Sequence, residues 1–204
     1  GNDYSIVTVI TALVLAFVVG LVVIGGIQRI SKVSQVVVPF MAVLYIVTVL
    51  VLIIANIEKL PGALATIVEY AFGAKAAAGG VLAAIGIAMQ KGIARGIFSN
   101  EAGLGSAPIA AAAAKTNEPV RQGLVTMTGT FIDTIIVCTL TGLSIVMMGS
   151  YQVKGIEGVQ VTTDAFKKGL SFLPAEVSAF ILMVCLVFFA FTTILGWNYY
   201  GERC

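Results

Sequence analysis

The sequence predicts an all-α integral membrane protein, a fragment of about five transmembrane helices with one of them broken. Three observations carry that reading. Hydrophobic residues make up 59% of the chain and charged residues 11%, with a mean hydropathy of +1.04, whereas roughly a quarter of a soluble domain is charged. Several apolar runs approach or exceed the ~20 residues that a spanning helix needs. The stretch Gly92–Lys115, GIARGIFSNEAGLGSAPIAAAAAK, passes from apolar helix through a cluster of Gly, Ser, Asn and Glu to an alanine-rich helix. Each unpaired backbone group in a bilayer costs several kcal/mol, so a break at that depth must surround a cavity or be buried in protein.

Composition also excludes. Histidine is absent, which removes His-based triads, bases and metal sites from this chain. Cys138, Cys185 and Cys204 fit no metal spacing, and a net charge of +2 gives no reason to expect nucleic acid as a partner. The chain opens on Gly1-Asn2-Asp3 without Met and stops at Cys204 without a tail, so residues 1–204 are expected to be a single transmembrane segment of a larger protein.

In chain order the spans fall at about 5–26, 36–56, 76–114 (broken near 99–105), 123–149 and 176–200, with 150–175 as an extracytoplasmic loop. The first is a continuous apolar run ending at Gly25-Gly26, followed by a polar connection, Gln28–Gln35. Pro39 stands near the start of the second span, where proline costs a helix little. Leu60–Phe72 places Leu64, Ile67, Val68 and Phe72 at helical spacing. It reads as a short amphipathic helix at the membrane surface, or equally as a loop helix packed on the bundle. Past the break, Ser106 is a candidate N-cap and Pro108 sits in the first turn, where its missing N–H is tolerated. The fourth span is rich in threonine and carries Asp133. Within the loop, Thr163–Ser171 forms a helix with Thr162 or Thr163 as cap and Lys167-Lys168 in its last turn. The fifth span ends in Trp197, Tyr199 and Tyr200, as suits a membrane interface. Arg29, Lys32, Lys115, Arg121 and Arg203 fall on one side of five alternating spans, which the positive-inside bias makes cytoplasmic. Lys59, Lys75 and 154–168 fall on the other.

Lys91, Arg95, Glu101 and Asp133 lie in apolar context, where a charge costs at least ~2.5–3.5 kcal/mol unless paired or wet. Lys91 and Arg95 share one helix face. Asp133 is expected to pair with one of them as a structural lock; the alternative is that both bases face an aqueous vestibule. Ser99-Asn100-Glu101-Ala102-Gly103-Leu104-Gly105-Ser106 offers hydroxyls, an amide and two glycines free to adopt φ > 0. Amides opening the helix after the break favour a carboxylate, and carbonyls closing the half before it favour an ammonium group or Na⁺. The plain alternative is a re-entrant turn or hinge. Thr192-Thr193 offers hard hydroxyl oxygens for a small cation, although membrane threonines more often bond back to their own helix.

GIARGIFSNEAGLGSAP closely resembles the signature of the alanine/glycine:cation symporter family, the sodium:alanine symporters, and FTTILGWNYYGERC resembles a second stretch of it. The resemblance runs through the whole chain and implies membership of the amino acid–polyamine–cation superfamily, with a leucine-transporter-type bundle of two inverted five-helix repeats. The spans here would be its fourth to eighth core helices, with 76–115 the unwound sixth. It implies alternating-access symport, in the plasma membrane of a prokaryote, of Na⁺ (or H⁺) with a small neutral amino acid such as alanine or glycine, and no organic cofactor. It would set substrate against Phe98, Ser99, Asn100, Ala102, Gly103 and Gly105, with Trp197 nearby, and sodium at Thr192 and Thr193. The partners are then the amino acid, the lipid bilayer and the remaining helices of the full-length transporter. The rival readings are a membrane channel, or a structural half of a membrane complex without transport of its own. An intramembrane enzyme using Ser99 and Lys91 is disfavoured, because two helical turns separate them and no G-x-S-x-G elbow exists.

Overall fold

A computed structural model describes residues 6–72 and 81–204. Among these the regular structure is helical: α1 (Ile6–Val23), α2 (Gly26–Ala55), α3 (Leu60–Phe72), α4 (Val81–Ser99), α5 (Glu101–Leu104), α6 (Ala107–Ala111), α7 (Pro119–Met147), α8 (Val159–Gly169) and α9 (Ala175–Arg203). Three of them, α2, α7 and α9, are long and apolar enough to cross a membrane, and Val9–Val23 is a shorter apolar helix. The expectations placed on Lys75, on 76–80 and on the first five residues lie outside the described residues.

The chain divides into two compact units, through which α2 and α9 both run. One comprises the described part of Gly1–Tyr45 with Met183–Cys204. Here α1 turns into α2 at Gly26, whose φ of +66° is a left-handed conformation open to glycine. The Arg29 guanidinium reaches back 2.8 Å to the Leu21 carbonyl, one of the acceptors that a helix C-terminus leaves without a partner. Gln28–Gln35 is therefore not a loop. It forms the opening turns of α2, because nothing in it breaks a helix and the turn closes earlier, at Ile24–Gly25. Pro39 consequently falls in the helix interior, where it withholds the bond that the Gln35 carbonyl would otherwise accept. Phe40 meets Phe188 edge-on at 5.6 Å and Tyr45 meets Phe189 at 5.9 Å. Met41, Cys185, Phe191 and Leu195 are buried.

The other unit is Ile46–Leu182. Its interior holds Val49, Leu52, Met147, Phe166, Leu170 and Leu182. The Asn56 amide donates to the Leu52 carbonyl at 2.9 Å and to the Gly169 carbonyl at 2.7 Å, tying the end of α2 to the end of α8. A side chain at Gly169 would collide with Leu52. α3 spans the expected residues and packs on the Cys138–Met147 part of α7, as the loop-helix alternative requires. Its buried contact is Ala63, however, while Leu64, Ile67 and Val68 face outward. α8 begins at Val159, four residues before the expected start, and its cap position is Gly158, with φ +56°, rather than a threonine. The Thr163 hydroxyl bonds the Val159 carbonyl inside the helix instead.

Candidate functional site

The apolar helix α4 stops at Ser99 because Asn100 leaves the helical region, with φ −141° and ψ 161°. From that extended position the Asn100 Oδ1 accepts from the Gly103 N–H at 3.1 Å and caps α5. α5 lasts four residues and ends at Gly105, whose φ of +79° is left-handed. Ser106 follows, then α6, which is five residues long. The alanine-rich continuation is thus one short piece, and the break before it holds a short helix of its own. Aligned dipoles are too few here for a long-helix macrodipole, so any anion held at this point depends on individual N–H groups.

Ser106 does not cap α6 with its side chain. Its hydroxyl donates to the Glu101 carboxylate, bridging the two ends of α5. Gly103 lies so close beneath the last turn of α4 that a Cβ there would strike the Ile97 carbonyl oxygen and come 2.9 Å from the Ile97 Cα. That approach is open to glycine alone.

The break is held against the middle of α7, where Phe131–Val137 forms a π-turn: the Cys138 N–H reaches the Asp133 carbonyl, five residues back. The Ser99 hydroxyl donates to Asp133 Oδ2 at 2.8 Å and lies 3.5 Å from Cys138 Sγ. Asn100 Nδ2 donates to Thr134 Oγ1 at 2.9 Å. The expected lock between Asp133 and a base is corrected by this geometry. The partner of Asp133 is a neutral hydroxyl, while Lys91 and Arg95 are exposed. Asp164 and Lys168 form an ion pair of 2.6 Å within α8. Beside the break, Ala102, Pro108, Ala111, Gln122, Thr126 and Met127 line a wide-open apolar groove of about 510 Å³.

Of the residues expected to touch substrate, Ser99, Asn100 and Gly103 converge, with Gly105 closing the same short turn. Ala102 lines the apolar groove, and Phe98 is exposed. Trp197, Thr192 and Thr193 belong to the other unit. There Trp197 meets Tyr200 edge-on at 5.9 Å. The Thr192 hydroxyl sits 3.0 and 3.1 Å from the Phe188 and Phe189 carbonyls, and the Thr193 hydroxyl 2.7 Å from that of Phe189. Their protons therefore serve the helix, and oxygen lone pairs are what they offer a cation.

Sequence reasoning missed Thr134 and Cys138. The signal available was the adjacent polar pair Asp133-Thr134 in an apolar run, matching the pair Ser99-Asn100 across the bundle.

Helices of spanning length, beside a helix interrupted by polar residues and braced by side chains from a neighbouring span, mark a multi-pass membrane protein. The chain belongs to the sodium:alanine symporter family, whose model matches residues 1–204. It is 55% identical to an uncharacterized transporter of Haemophilus influenzae and 48% identical to the sodium/alanine symporter AgcS of Methanococcus maripaludis, in each case over 100% of this chain and 44% of the relative. It is 43% identical to a probable sodium/glutamine symporter, GlnT, of Bacillus subtilis, over 93% of this chain and 38% of that protein. The chain thus spans less than half the length of these curated relatives.

Proposed function

We propose that the whole protein carries a small neutral amino acid, alanine or glycine, across the plasma membrane together with Na⁺ by alternating access. This chain supplies the fourth to eighth core helices of a leucine-transporter-type bundle, and the interruption between Ser99 and Ser106 supplies its share of the amino-acid site. The observation that carries this reading is the extended Asn100. It frees backbone groups in mid-span, where surrounding protein, a cavity or a ligand must satisfy them. Ser99, Asn100, Ala102, Gly103 and Gly105 stand at that point, with Phe98 beside them. Thr192 and Thr193 present hydroxyl oxygens suited to Na⁺, and Trp197 lies a turn further along α9. A relative bearing the name of a glutamine symporter supports amino acids as the substrate class; the narrow approach at Gly103 favours the smaller members.

The test is uptake of labelled alanine by the full-length protein in lipid vesicles. Uptake is expected to saturate and to collapse when the inward Na⁺ gradient is removed. Unsaturable flux would establish a pore instead.

A further inference from the structure

We infer that Asp133 and Thr134 are positioning residues that set the conformation of the break, and that the π-turn of α7 is what lets two neighbouring side chains do this together. The inference rests on reading the break as the amino-acid site. In an α-helix successive side chains diverge by about 100°, so adjacent residues rarely grip the same partner. The wider π-turn reduces that divergence. Here two consecutive donors, Ser99 and Asn100, meet two consecutive acceptors, Asp133 and Thr134, at 2.8 and 2.9 Å.

The second bond matters most. A backbone N–H can bond only the oxygen of the Asn100 amide, so the Gly103 contact turns the amide nitrogen toward Thr134. Thr134 thus orients the group that caps α5, and through it the amides between Glu101 and Gly105. Asp133 holds Ser99, the last helical residue before the break, and needs only an acceptor oxygen for that, not a charge. Returning the segment to α register would rotate both acceptors apart and release the break.

The full-length protein in lipid vesicles tests this, with Cys138 kept as reporter beside Ser99 and other cysteines replaced. Two quantities are read: the rate at which a small maleimide labels Cys138, and the split between half-saturation and maximal rate for alanine uptake. Thr134→Val is expected to raise the labelling rate several-fold and the half-saturation concentration about tenfold, with the maximal rate changing less. Thr134→Ser returns both toward wild type. Asp133→Asn, which keeps an acceptor, labels like wild type, whereas Asp133→Leu labels faster. The proposal is overturned if Thr134→Val changes neither quantity, or if serine rescues nothing. It is equally overturned if Asp133→Asn labels as fast as Asp133→Leu, because the carboxylate would then act by charge. Should Thr134→Val fail to fold, the two Asp133 variants decide. If wild type takes up no alanine the transport reading fails, and the labelling rates still judge the bracing.

Discussion

Gly103 and Gly105 show how single residues make the interruption possible. Gly105 adopts φ +79°, which costs a residue with a Cβ roughly 1–2 kcal/mol. Gly105→Ala should lower unfolding stability by about that amount, measured by denaturant titration of the full-length protein in detergent. Gly103 is constrained by space rather than by φ, since its missing side chain admits the Ile97 carbonyl. Gly103→Leu is expected to abolish labelled-alanine binding, and an unchanged affinity would place the ligand elsewhere. Thr192→Ala should leave alanine binding measurable at high Na⁺ while shifting its Na⁺ dependence to higher concentration. An unaltered Na⁺ titration would remove that residue from the proposed ion site.

At the scale of elements, α8 carries a pH-sensitive contact. The Lys168 ammonium, and after it the Ser150 hydroxyl, hold the Asp164 carboxyl below its ordinary value. A carboxyl depressed in the folded state adds stability that is complete above its unfolded pKa and is lost as pH falls through the folded one. Hydrogen-exchange protection of Val159–Gly169 should therefore hold at neutral pH and weaken below the usual carboxylate range. Asp164→Asn should make that acid-side weakening disappear. The effect is small, because both side chains are partly solvated and screening weakens such pairs. α7 illustrates a different point: its π-turn leaves composition and hydropathy unaltered, and it is from this segment that Asp133 and Thr134 meet the break.

At the scale of the molecule, composition and apolar run length announced a membrane protein, since the bilayer imposes its dimensions on any spanning helix. The interruption near 99–105 was legible for a similar reason: glycine, asparagine and proline act on the backbone through their own covalent structure. Hidden from the sequence were the facts of distance. Nothing in the run FIDTIIV advertises a π-turn, and charge alone pointed Asp133 toward Lys91 or Arg95 rather than toward Ser99. The same limit left both readings of α3 open, and the helix packs on α7 with Ala63 buried while Leu64, Ile67 and Val68 face outward. Local chemistry thus determined that this chain lies in a membrane, where its helix breaks and which residue types stand there. Which side chain answers each of them depends on the register between helices far apart in sequence, and only the tertiary packing sets that.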